Sequence, residues 1–241
     1  MFKHKFRNLF GPGRHAKLAA DQAMKRSFSQ SGEDLIVDYI FHWLGLDAVK
    51  YLDIGAHHPY ILSNTFHFYQ KGHSGVLVEP DPQLHAQLER SRQRDQCLNV
   101  GAASRSQQTA KYYEMSDKAL STFSWDEARR YESYGRVRIE AVHEIPLLSV
   151  NTIIERHFAD TPNFISIDVE GLDYEILEGF DFQRYRPEVF CVETLTYTED
   201  KSERKVTELI DLMREQHYFA YADTYLNTIF VDHHAWNRRR P

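Results

Sequence analysis

Apolar residues fall along this chain in two alternating rhythms. In GEDLIVDYIFHWLG, Leu35, Ile36, Tyr39, Ile40 and Trp43 recur at helical spacing and Gly45 follows, which predicts a helix that stops at the glycine. Short, unbroken apolar runs come next, each ending at polar residues or glycine: YLDIGA (51–56), GVLVEP (75–80), CLNVGAA (97–103), FISIDVEG (164–171) and VFCVETL (189–195). Runs without alternation read as strands buried on both faces, the habit of parallel sheets. Helical stretches separate them: SNTFHFYQKG (63–72), PQLHAQLERSRQR (82–94), SVNTIIERHF (149–158) and SERKVTELIDLMREQ (202–216). YFAYADTY and NTIFVDH close the chain as two strands with a tight turn near Leu226 and Asn227, an antiparallel hairpin. Strand alternating with helix implies right-handed crossovers, hence an α/β, doubly wound, Rossmann-like sheet. Residues 104–148 break the rhythm and are expected to form an insertion over the top of that sheet, with strands of their own. One domain is therefore expected over 27–241, after a basic lead at 1–26.

Composition narrows the class of protein. Of 241 residues 42% are hydrophobic, enough for a full core, and 27% are charged, which speaks against disorder. The net charge of −6 leaves no field to draw the whole chain onto nucleic acid. Cys97 and Cys191 are the two cysteines; this excludes a disulfide framework and a cysteine zinc cluster, and it suits a reducing cytoplasm. No run approaches the length of a bilayer span, and the N-terminus lacks the apolar segment of a secretory signal. Residues 1–26 hold seven Lys or Arg against Asp21. They are expected to be a solvated lead-in, open to a weak peripheral contact with anionic lipid.

The candidate chemistry sits at the strand ends. In an open α/β sheet, ligands bind beyond the carboxyl ends of the strands, where strand order reverses. Here those ends carry Asp53 and Gly55, then Glu79-Pro80-Asp81, then Gly101-Ala102-Ala103, then Asp168 and Glu170, then Glu193. Acids on four of five ends repel one another unless a ligand or metal organises them. Glu79 lies twenty-four residues beyond Gly55, about where an acid takes the ribose hydroxyls of an adenosine cofactor. After Gly55 the chain reads Ala56-His57-His58-Pro59, without the further glycines that admit a pyrophosphate. An adenosine ligand lacking phosphates fits this turn, and S-adenosylmethionine is such a ligand. Its amino group wants a carboxylate such as Asp53, and its own carboxylate wants backbone N–H groups such as those near Ser63. Gly55 is expected to let the backbone approach the ligand.

SFSQSGEDLIV, YLDIGAHHPYILSNTFHFYQKG, GVLVEPDP, ALSTF, ISIDVEGLDYEILEG and NTIFV, in this order, resemble the FkbM-type S-adenosylmethionine-dependent methyltransferases over about residues 27–232. The resemblance implies a class I methyltransferase fold, a seven-stranded sheet with its last strand antiparallel. It also implies methyl transfer to hydroxyl oxygens of sugars or polyketide-type metabolites. Many members carry a DVGANxG loop where this chain has DIGAHHP. On this reading Asp53, Gly55, Ala56, Glu79, Pro80, Asp81 and Ala102 are expected at the cofactor. Asp168, Glu170 and Glu193 are expected to serve catalysis. Asp168 and Glu193 on neighbouring strands could also share Mg²⁺. Gly171 is expected to open the next helix.

The remaining candidates have plainer readings. His57 and His58 are adjacent on a loop, so their side chains diverge and do not readily share a metal. His233 and His234 follow the last strand and are expected at the surface, and both cysteines are expected to be inert thiols. Tyr197 and Lys201 mimic the pair of short-chain dehydrogenases, but the nicotinamide loop is missing. Phe66, Phe68 and Tyr69 read as core, and the aromatics of Tyr112–Tyr134 as an acceptor wall or a hydrophobic cover. The expected function is O-methylation of a sugar, glycan or glycosylated small molecule. Two rivals stand beside it. One is a non-catalytic binding module that keeps the fold, against which the intact acids argue. The other is a nucleic-acid methyltransferase, against which the acidic body and the absence of an NPPY-like segment argue.

Overall fold

The helical spacing after Gly32 produces α1 (Glu33–Leu44), and Gly45 ends it in a left-handed conformation, φ 69°. The computed structural model describes residues 25–169, 171–196 and 203–239, so residues 1–24 of the basic lead, Glu170, and the Tyr197–Lys201 pair lie outside the described residues. The apolar runs become β1 (Lys50–Ile54), β2 (Ser74–Val78), β3 (Gln96–Leu98), β7 (Phe164–Ile167) and β8 (Val189–Glu193). The closing hairpin is β9 (Tyr218–Asp223) and β10 (Asn227–Asp232). These form one seven-stranded sheet in the order β3-β2-β1-β7-β8-β10-β9. Strand pairs from β3 through to β8 are parallel, and β10 runs antiparallel to both β8 and β9. This is the class I methyltransferase architecture. The order reverses between β1 and β7, which puts the crevice beyond their carboxyl ends.

Each face of the sheet is covered by a different set of helices. Leu52, Ile54, Val76 and Val78 pack against α5 (Val150–His157), α6 (Asp173–Glu178) and α7 (Thr207–Glu215). Tyr51 and Leu77 point the other way, onto α1, α2 (Phe66–Gln70) and α3 (Pro82–Ser91). This period of two along each strand splits one apolar run between two cores.

The run 97–103 is not one strand. β3 ends at Leu98, and residues 101–103 form β4 in a separate three-stranded sheet, ordered β4-β6-β5, with β6 (Ile139–Ser149) and β5 (Gln107–Met115). Asn99 makes the crossing by donating from Nδ2 to the carbonyls of Glu79 and Pro80, both at 2.9 Å. Gly101 then fits where a Cβ would lie 2.3 Å from the Phe123 ring. The segment between β5 and β6 carries a 3₁₀ turn (Lys118–Leu120) and α4 (Trp125–Ser133). Its aromatics divide, with Trp125 exposed and others buried. Tyr113 and Tyr131 are buried with Met115 and Ala128 in a small core of their own.

Several helices are shorter than the sequence predicts. The stretch 63–72 yields only Phe66–Gln70, because Ser63 Oγ takes the amides of Thr65 and Phe66 before the helix begins. The stretch 82–94 stops at Ser91, where Arg92 turns inward. The last element is α8 (His233–Asn237), and it leaves His233 and His234 exposed. Among the described residues no helix is long and apolar enough to cross a membrane.

Candidate functional site

A cleft of about 410 Å³ opens beyond the carboxyl ends of β1, β2, β7 and β8, within the usual range for a small-molecule site. Gly55, Glu79, Asp168 and Glu193 come from the sheet, and residues 117–123 form the opposite side. Asn64 and Asn227 complete the wall.

Glu79 is held by the backbone on both of its carboxyl oxygens. Its two carboxyl oxygens accept from the backbone N–H groups of His57 and Asp81, each at 2.8 Å, and the residue is only 3% exposed. Burial, together with the charges of Asp81 and Asp53, pushes its carboxyl up to about 7 despite those two hydrogen bonds. His57 is held at φ 49° and also lines the cleft. Burial lowers the pKa of that ring. Lys118 reaches from the 3₁₀ turn to Asp81, Nζ to Oδ2 at 2.9 Å, and also pairs with Glu114. This ties the far side of the cleft to the cofactor half of the sheet.

The seven residues expected at the cofactor separate into two groups. Gly55, Glu79 and Pro80 line the cleft; Asp53, Ala56, Asp81 and Ala102 are not among its lining residues. Asp53 turns its Oδ2 to the Thr65 hydroxyl at 2.6 Å, and burial raises its carboxyl to about 6. Asp81 caps α3, accepting from Gln83 N at 2.7 Å and Leu84 N at 3.1 Å. Burial works against its charge, yet Lys118 and these amides hold the carboxyl below its ordinary value. Ala56 and Ala102 pack in the two cores. Of the amides near Ser63, those of Thr65 and Phe66 are taken by its own hydroxyl and that of Ser63 by the Phe28 carbonyl. Gly55, which lines the cleft, is also required by the fold itself. At φ +81° its Cβ would lie 1.9 Å from the Asp168 carbonyl oxygen, so the crowding partner is the backbone leaving β7.

Asp168 and Glu193 stand at the ends of paired strands and share a side-chain hydrogen bond. Burial first, and then the charge of Asp53, raise Asp168 to about 6, while Glu193 holds it down. Glu170 lies outside the described residues. Gly171 sits in a left-handed turn, φ 93°, ahead of α6 rather than opening it. Among the described residues no three His, Cys, Asp or Glu side chains are grouped to hold a metal ion. The cysteines behave as expected, with burial raising both thiols, Cys97 to about 11.

Two residues of the wall carried no signal of their own in the sequence. Asn64 donates to Ser166 Oγ at 3.0 Å, and Asn227 donates to Glu33 Oε1 at 3.2 Å. Both are buried, and in each the Oδ1 has no hydrogen-bond partner. Orphaned buried acceptors beside a cleft call for a ligand that donates. An ammonium group answers that call, and Glu79, already carrying two backbone amides, keeps acceptor capacity for hydroxyls. The residues present therefore fit S-adenosylmethionine.

Residues 53–220 match the family described as the methyltransferase FkbM domain. No curated protein compared with the chain matches it. Similar solved structures include the precorrin-6y C5,15-methyltransferase of Geobacter metallireducens, 12% identical, with TM-score 0.43, covering 87% of this chain and 92% of that one. The 1,6-didemethyltoxoflavin-N1-methyltransferase of Burkholderia thailandensis, with bound 1,6-didemethyltoxoflavin and S-adenosylhomocysteine, is 12% identical, with TM-score 0.42 and coverage of 93% and 91%. The O-methyltransferase of Bacillus cereus, in complex with S-adenosylhomocysteine, is 12% identical, with TM-score 0.43 and coverage of 89% and 86%. Likeness at this level says nothing of the acceptor. The family match is of another kind: it runs from Asp53 through Glu79 and Asp168 past Glu193 and takes in well over half of the sequence, and by that extent the chain belongs to the FkbM methyltransferase family.

Proposed function

We propose that this methyltransferase acts on a hydroxyl oxygen of a sugar, glycan or glycosylated small molecule, with S-adenosylmethionine as donor. The observation that carries the reading is Asp168 in the cleft wall just past the end of β7, with Glu193 beside it at the end of the paired strand β8. A sugar hydroxyl is barely acidic, so its oxygen attacks well only when a positioned group takes the proton. Asp168, raised to about 6, is ionised at neutral pH yet more basic than an ordinary carboxylate, which suits it to that task. When bound, S-adenosylmethionine supplies an electrophilic methyl group on a sulfonium. The chain's own residues do the rest. Glu79 accepts from the ribose hydroxyls, Asn64 and Asn227 accept from the ammonium group, and Asp168 orients the acceptor hydroxyl and receives its proton. Alignment of the reacting atoms supplies much of the acceleration in such displacements.

Labelled S-adenosylmethionine offered with nucleotide sugars, free glycans and glycolipids tests this directly. The expected product is a methyl ether on a hydroxyl. Label recovered only on nitrogen or carbon overturns the oxygen assignment. The donor end has its own prediction. Glu79→Ala removes an acceptor for two hydroxyls and should weaken S-adenosylhomocysteine binding by about 1.5–3 kcal/mol, roughly 10- to 150-fold. Calorimetric titration reads this, and an unchanged affinity would take the ribose away from Glu79.

A further inference from the structure

Glu193 belongs to two walls. Behind the cleft it also lines a second cavity of about 220 Å³, bounded by α4 on one side and by α6 and α7 on the other. A whole ligand usually fills roughly 300–1,000 Å³, so this space suits one ring of a larger molecule. Asp173, at the start of α6, lines the cavity and is 5% exposed, and its Oδ1 has no hydrogen-bond partner. Backbone amides of the turn before α6 reach the carboxyl group, and its Oδ1 keeps acceptor capacity for a ligand donor. Tyr131 and Tyr174 add aromatic surface, and Val206 adds an apolar side. Among the described residues of its lining, three carboxyl groups, Glu127, Asp173 and Glu193, stand beside one cation, Arg130, which pairs with Glu127.

Building on the hydroxyl-methylating reading above, we propose that this cavity seats the acceptor's ring, an uncharged, hydroxyl-rich ring such as a pyranose that donates to Asp173, and that it refuses rings carrying a carboxylate or phosphate. The match is chemical. A pyranose brings O–H donors for Asp173 and C–H faces for the tyrosines. An anionic ring would be held against like charge in a low-dielectric space, a repulsive element that sets specificity. Burial and the charge of Asp168 push the Asp173 carboxyl up to about 7, a sign that this space already disfavours an anion. Because Glu193 is shared, a ring in this cavity can project one hydroxyl past it toward Asp168. The charged part of a nucleotide-linked acceptor would have to lie outside.

The test is thermal unfolding of the full chain saturated with S-adenosylhomocysteine. Millimolar methyl glycosides of glucose, galactose, mannose, rhamnose and fucose serve as probes, with methyl glucuronide and glucose 6-phosphate as anionic counterparts. At least one neutral glycoside should raise Tm, and neither anion should. In Asp173→Leu and in Val206→Trp, which fills the cavity, the apparent affinity for that glycoside should fall at least 10-fold while S-adenosylhomocysteine still binds as in wild type. The proposal is overturned if no neutral glycoside shifts wild type, if the anions stabilise equally, or if the shift survives in both variants. A different result defeats the reading it rests on: wild type that binds no S-adenosylhomocysteine in calorimetry.

Discussion

Arg92→Leu should lower the stability of the protein by about 3–5 kcal/mol, the range expected when one partner of a buried ion pair is removed. That is a large share of the roughly 5–15 kcal/mol that holds a domain folded. Arg92 is 1% exposed. Its Nε donates to Asp95 Oδ2 at 2.8 Å, its Nη1 to the Pro59 carbonyl at 3.0 Å, and its Nη2 to Tyr51 Oη at 3.2 Å and Thr65 Oγ1 at 3.1 Å. The guanidinium also lies over the Tyr69 ring, 4.7 Å from its centroid. Leucine would leave the Asp95 side chain, fully buried, without its counter-charge. The Pro59 carbonyl would lose this bond, and with it a tie on the loop that carries His57 into the cleft. Urea unfolding should show the loss, and S-adenosylhomocysteine titration of the folded fraction should show weaker binding. Arg92→Lys keeps the charge but not the fork of donors, so it should fall between. Removing Asp95 as well, in an Arg92→Leu/Asp95→Leu double variant, should recover part of the stability because no charge is then stranded. A loss below about 1 kcal/mol for Arg92→Leu would show that the network does not hold this loop.

Nothing in PQLHAQLERSRQR distinguishes Arg92 from the arginines on either side, and this shows where sequence reading stops. The five apolar runs were legible because a strand buried on both faces must be continuously apolar. The order of acids along the rim followed from those strand ends. Which way each acid points did not. Asp53 and Tyr51 lie on the same side of the β1 pleat, so Asp53 shares Tyr51's face and joins Thr65 and Arg92. Glu79 stands just past the end of β2, free of the pleat, and reaches the cleft. The switch of sheets at Asn99 was hidden because apolar residues on either side of it made one run. Asn64 and Asn227 were hidden because amides carry no periodicity. They become a pair only when α2's leading loop and β10 meet, with Asn227 opposite Glu193 in the β8–β10 ladder.

Asp168→Asn should reduce turnover by roughly 10²–10⁴-fold, the usual worth of a positioned proton acceptor, while S-adenosylhomocysteine binds nearly as in wild type. Asparagine keeps the shape and the neighbouring hydrogen bonds but cannot take a proton. A residue that merely braced the end of β7 would instead lose stability and keep its rate. The pH profile separates the two further. Turnover of wild type should rise with pH through about 6, as Asp168 ionises. The hydrogen bond from Glu193 favours the ionised form, so Glu193→Ala should move this limb to higher pH. The same shift has a sign for stability. Asp168 is raised above its unfolded value, so its contribution is fully present below about pH 4 and is lost as pH rises through about 6. Active enzyme therefore works where this acid is least comfortable, and relief of that burden in Asp168→Asn should raise Tm at pH 8 more than at pH 5. If Asp168→Asn kept most of its turnover, Glu193 would be left as the proton acceptor. The Asp168→Asn/Glu193→Gln double variant would then lose the activity that neither single change removes. Loss in the single variant, with the limb near 6 abolished, assigns the proton to Asp168.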